Sequence, residues 1–222
     1  MKRQEIREEL FRHQDLKFRD FSAPLLKAKL PLIGVRIPVL HKLAKGIDCF
    51  PKGKDEYFEE QLLRGFVIVA AKKAPEEILQ DLKAFVLEIG DWGVCDCVAT
   101  AAKVMEVNRA FFFPFLKELS ETKEEFRVRF AVVSLLFHYL TPEWQKRIFK
   151  ILQNANTETY YARMGVAWTL QKAFVKFPHE TLEFLNDKKL NSEVKKLAVR
   201  KIRESQAIDP RLKDLASQTI KK

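Results

Sequence analysis

Trp92 and Asp96 lie four residues apart, just after Gly90, in the stretch Glu88-Ile-Gly-Asp-Trp-Gly-Val-Cys-Asp-Cys-Val-Ala-Thr100. If a helix restarts after the glycine, an indole and a carboxylate share one of its faces. A carboxylate held beside a developing cation stabilises it electrostatically. An indole face attracts a cation by ~0.5–2 kcal/mol. Arg129 follows Trp92 by 37 residues, and Trp168 follows Arg129 by 39. A period of about 40 residues is that of HEAT-type helical repeats, where residues one period apart stack into a column on one face. Trp92, Asp96, Arg129 and Trp168 are therefore expected to converge on one concave surface. Arg129, with Arg127 beside it, offers the forked donors that hold a phosphate. Each residue also has a plainer reading. A tryptophan on an apolar helix is usually core, Asp96 could be a helix N-cap near Gly93, and Arg129 could pair with Glu125 one turn earlier.

Other chemistries find little support. The three cysteines, Cys49, Cys95 and Cys97, are odd in number and argue against a disulfide framework. Cys95 and Cys97 form a C-x-C pair without a second pair or a nearby histidine, so no metal site is expected. His13, His41, His138 and His179 have no metal-like spacing and are given no role. With 7 glycines and no Gly-rich loop, no nucleotide cofactor is expected. The net charge of +10 is uneven: +5 over residues 1–50, −3 over 51–110 and +7 over 161–222. Basic ends flanking a neutral or acidic middle suit a polyanionic partner. Lys195, Lys196, Arg200, Lys201 and Arg203 form a helical stripe, read either as phosphate contacts or as a solvated face.

The elements that position these residues read as helices throughout. The longest apolar run, residues 66–71, is far short of a membrane span, and the N-terminus lacks the apolar segment of a signal peptide. A cytoplasmic monomer is expected. Helices are predicted over residues 2–12, 16–30, 38–47 and from Asp55, as its cap, to Ala71. Pro75 opens another, and the helix carrying Asp96 runs on through Met105. Further helices cover 108–119 and 123–140, start at Thr141-Pro142, and span 157–176. The last start at Pro178, at Asn191 or Ser192, and at Asp209-Pro210. The total is twelve or thirteen helices and no convincing strand. The fold class is all-α: a single curved domain over residues 1–222, an α-solenoid of HEAT-like antiparallel helix pairs, with a compact irregular bundle as the alternative.

Four fragments carry a resemblance. Gly34-Val-Arg-Ile-Pro38 with Leu43-Ala-Lys45, Trp92-x-x-x-Asp96, Phe126-Arg-Val-Arg-Phe-Ala-Val-Val-Ser-Leu-Leu136 and Tyr160-Tyr-Ala-Arg-Met-Gly-Val-Ala-Trp168 occur in register over most of the chain. Together they resemble the DNA alkylation repair family, the AlkD-like HEAT-repeat DNA glycosylases. The resemblance implies helix pairs that hold duplex DNA and release purines alkylated at a ring nitrogen. It implies that Trp92, Asp96 and Trp168 lie beside the lesion nucleotide and that Arg129 contacts the backbone. Arg163 falls inside the fourth fragment and, with Arg127, Lys195, Lys196, Arg200 and Lys201, is a candidate DNA contact. The chain departs from the active pattern at Asp91 and Gly93, where an aromatic and an acid are common. Two alternatives therefore stand beside a glycosylase: a non-catalytic binder of distorted or branched DNA, and a HEAT-type protein-interaction scaffold.

Overall fold

The computed structural model describes residues 1–26 and 28–220. The described residues form fourteen α-helices and no strand, so the fold is all-α. They group into two compact units, residues 1–112 and 113–222.

Unit 1 contains α1 (Arg3–Arg12), α2 (Leu16–Leu26), α3 (Ile37–Ala44), α4 (Phe58–Ala70), α5 (Pro75–Val86), α6 (Trp92–Ala101) and α7 (Val104–Val107). The division falls within α8 (Arg109–Ser120). Helix α4 is the hub, packing on α1, α3, α5 and α6. It can do so because it is apolar on nearly every side: Leu62, Leu63, Phe66, Val67 and Val69 are all buried. Burying each such side chain contributes about 1.5–3 kcal/mol.

The polar residues at the start of α4 are also buried, and each is matched. Asp55, expected to cap this helix, does not do so; Tyr57 occupies the cap position. Asp55 instead lies between Arg3 (3.0 Å) and Arg64 (2.6 Å). Glu59, 1% exposed, accepts three consecutive backbone N–H groups, from Ile33 (2.9 Å), Gly34 (2.7 Å) and Val35 (3.1 Å). Aiming three N–H groups at one carboxylate needs a left-handed residue in the loop, and Gly34 has φ +99°. The Gly34-to-Pro38 fragment is thereby explained as the end of a loop wrapped on a buried acid, running into the first residues of α3.

Unit 2 contains α9 (Glu125–His138), α10 (Pro142–Asn154), α11 (Tyr160–Lys176), α12 (Pro178–Asn186), α13 (Ser192–Glu204) and α14 (Pro210–Gln218). Helix α11 packs on α9 and α13, and α12 packs on α14. Each of these helices therefore lies against the one two further along the chain. At the first crossing the Thr169 hydroxyl, on α11, donates to the Val132 carbonyl of α9 at 3.0 Å.

The predicted starts at Pro75, Pro142, Pro178 and Pro210 are observed, with Asn191 and Asp209 capping α13 and α14 through their side chains. Two predicted spans differ most, the others shifting by at most three residues at an end. The helix expected over residues 16–30 ends at Leu26, and Lys27 within that span lies outside the described residues. The helix expected to run through Met105 breaks at Ala102, whose ψ of 54° leaves the helical region, and resumes as α7. No helix among the described residues is long and apolar enough to cross a membrane.

Candidate functional site

Helix α6 begins where Asp91 caps it. Its Oδ1 accepts the Val94 N–H at 2.9 Å, and the residue is 4% exposed. Burial pushes the Asp91 carboxyl up, while the Val94 and Gly93 N–H groups and the charge of Lys29 pull it down. Because Asp91 is the cap, Asp96 is not; it stands one turn into the helix, a turn beyond Trp92. The tight start explains Gly93. A Cβ there would sit 2.6 Å from Leu26 Cδ2 and 3.1 Å from the Phe58 ring, so a side chain at this position makes the end of the Leu26 side chain give way.

Trp92 and Asp96 open into two adjoining cavities. Half-buried Trp92 lines a small apolar one of about 180 Å³ with Phe18, Leu25 and Leu26 of α2. Its Nε1–H donates to the Leu25 carbonyl at 3.3 Å, which fixes the ring against the end of that helix. Asp96 lines a larger cleft of about 610 Å³ with His41, Lys45, Phe66, Cys97 and Lys103. His41 is stacked on the Phe66 ring, centroids 4.0 Å apart and planes 21° from parallel. Burial, and then the charge of Lys45, holds its imidazole below the usual histidine range, so it is neutral at pH 7. Cys97, which lines both cavities, has its thiol pushed up to about 12 by burial first, and then by Asp96 and Asp91. It is no nucleophile at neutral pH.

Sequence reasoning missed His41, Lys45 and Lys103. His41 and Lys45 are four apart on α3, a spacing that was visible; what they face was not.

In unit 2, Arg129 is 8% exposed. Its Nη1 donates to the Tyr161 carbonyl at 3.0 Å, and its guanidinium lies 5.7 Å from the Tyr161 ring centroid. Glu125 Oε1 accepts the Tyr161 N–H at 2.7 Å. One turn of α9 thus holds both backbone groups of Tyr161 at the start of α11, a role for Tyr161 that the sequence did not disclose. Trp168 lies two turns further along α11, half-buried, with Phe137 edge-on at 5.7 Å.

The other basic candidates differ in what they touch. Arg163 Nη1 donates to the Thr157 (3.1 Å) and Glu158 (2.9 Å) carbonyls, bracing the turn before α11. Arg127 pairs with Glu124 at 3.4 Å, Lys196 with Glu193 at 3.0 Å and Arg200 with Glu204 at 2.9 Å. Lys195 lies near Asp187. Lys201 is half-buried; burial lowers its ammonium, Arg129 and Arg200 lower it further, and Glu204 opposes them. Lys201 of α13 thus feels the charges of Arg129 on α9 and of Arg200 on its own helix, with Glu204, paired to Arg200, as the counter-charge. Among the described residues no three His, Cys, Asp or Glu side chains gather as a metal site requires.

No individual curated protein matches the sequence. A family model described as "DNA alkylation repair enzyme" matches residues 6–205, most of the chain, with the α6 residues and the basic group of unit 2 inside the match. The chain therefore belongs to the DNA alkylation repair enzyme family.

Proposed function

We propose that this protein is a DNA glycosylase that releases positively charged, N-alkylated purines from duplex DNA, acting as a monomer in the cytoplasm. The helix-on-second-helix packing within unit 2 supports reading its helix pairs as HEAT-like repeats of an α-solenoid. The observation that carries the chemical reading is Asp96, set one turn into α6 in a cleft bordered by Lys45 and Lys103, in a member of a DNA alkylation repair family.

The alkylated purine carries a positive charge. As the bond from the sugar C1′ to the base nitrogen breaks, its electron pair goes to the base, which leaves neutral. The positive charge passes to the sugar. Asp96 stabilises that oxocarbenium ion and takes the proton of the water as its oxygen adds to C1′, then passes it to solvent. The reaction consumes water alone, so the reading calls for no cofactor and no metal. The face of Trp92 favours the cationic lesion over a neutral base, and Trp168 in unit 2 offers an indole face of the same kind. Arg129, Arg200 and Lys201 serve as phosphate contacts, with Arg127, Arg163, Lys195 and Lys196 at the edge of that group.

The test is release of free base from methylated duplex DNA by wild type and Asp96→Asn side by side. The variant keeps the shape and removes the charge, and is expected to lose at least about tenfold in rate at unchanged DNA affinity, a change of ~1.4 kcal/mol in barrier. An equal rate for both makes Asp96 structural. A second reading, a binder of distorted DNA without base release, is favoured by Gly93 and by Asp91 serving as a cap, at the two positions where the active pattern commonly has an acid and an aromatic. Tight duplex binding with no release by wild type selects it.

A further inference from the structure

One face of α2 is apolar and held out of the protein. Phe18, Phe21 and Leu25 are spaced as one helical stripe. Phe18 at its base is half-buried, with the Arg36 guanidinium 4.9 Å from its ring centroid. Phe21 is 70% exposed and Leu25 57%, and Pro24 between them is exposed as well. This edge is tied to the candidate site: the Leu25 carbonyl accepts the Trp92 indole N–H, and Phe18, Leu25 and Trp92 line one cavity. Its surroundings are basic on balance, since exposed Asp20 beside Phe21 is paired with Arg19 at 2.8 Å. Lys17 is exposed on α2, and the Lys29 side chain lies over Gly90, two residues before Trp92.

We propose that the Phe21–Leu25 edge of α2 is a wedge that enters the base stack of duplex DNA at the nucleotide attended by Trp92. Phe, Leu and Pro are the side chains that proteins press between base steps, partly unstacking them, while neighbouring lysines hold the phosphates. Two side chains rimmed by lysine suit a DNA groove. They do not supply the roughly 1,200–2,000 Å² that a stable interface with a second copy would need. The location of the wedge rests on the Trp92 reading above; its readout does not require base release.

The experiment uses the full chain and a duplex carrying 2-aminopurine next to a stable analogue of the lesion nucleotide. The 2-aminopurine brightens when unstacked. Wild type is expected to raise its fluorescence at least about twofold at saturation, and Phe21→Ala/Leu25→Ala to lose more than half of that rise. Both positions are exposed, so circular dichroism and melting temperature are expected to stay as in wild type, and Phe21→Leu to restore most of the signal. Asp96→Asn is expected to keep the full rise while losing base release. A rise in wild type on the analogue, with no base released from methylated duplex in the separate assay, leaves the wedge standing and removes the glycosylase reading. An unchanged signal in the double variant, or no rise with wild type, overturns the wedge. So does a concentration-dependent dimer of wild type that the double variant abolishes, which makes this edge a self-interface.

Discussion

Among the described residues, the charged groups drawn inside unit 1 are acids, whereas the one drawn inside unit 2 is an arginine. Asp55, Glu59, Glu60 and Asp91 are all buried, accepting hydrogen bonds from arginines or from backbone N–H groups. Arg129 in unit 2 is buried and donates to a backbone carbonyl, and half-buried Arg163 donates to two. The same net charge thus has different meanings in the two. The −3 of residues 51–110 includes four acids enclosed by the fold, so it overstates how acidic that surface is. The +7 of residues 161–222 is carried mostly on exposed or half-exposed lysines and arginines, several paired within their own helix. Charge counted along a chain describes a surface only after the enclosed groups are removed.

The sharpest way to break this contrast is Glu59→Ala. It leaves three N–H groups in a buried loop without their acceptor, at ~1–3 kcal/mol each. The expected result is loss of at least about 3 kcal/mol in urea unfolding, or failure to fold, with Glu59→Gln intermediate. A variant as stable as wild type would refute the architectural role of the acid. Arg163→Ala makes the matching test in unit 2. Its carbonyl partners lie in part-buried and exposed bonds that water can replace, so about 1 kcal/mol is expected by the same measurement. A larger loss than for Glu59→Ala would invert the comparison.

The smallest effect concerns His41. Its ordinary value is 6.5, and burial beside Lys45 lowers it in the folded protein. Between the lowered value and 6.5 the unfolded chain binds more protons than the folded one, so stability rises with pH there and falls on acidification. Melting temperature followed downward from pH 6.5 is expected to drop faster in wild type than in His41→Gln. Parallel curves would mean that His41 titrates alike in both states.

What the sequence disclosed followed the range of the interaction. Helix starts marked by Pro75, Pro142, Pro178 and Pro210, and the caps Asn191 and Asp209, depend on partners within three residues and were readable. Asp55 was misread because its partners, Arg3 and Arg64, are 52 and 9 residues away. The break at Ala102 has no proline or glycine to announce it. The helical spacing of Trp92 and Asp96 was legible; that the indole would be held by α2 and the carboxylate would look into a cleft with His41 was not, because both depend on packing between helices. Gly93 departs from the pattern, and only the packing shows the Leu26 side chain lying against it.

One thiol has a bearing on the conditions in which such a protein works. Electrophiles that methylate purines also methylate sulfur, and the sulfur reacts as thiolate. With its thiol pushed up to about 12, Cys97 is ionised in only about one molecule in 100,000 at pH 7. A cysteine beside Asp96 in the cleft is thus kept from becoming the first casualty of the agents whose damage the family repairs.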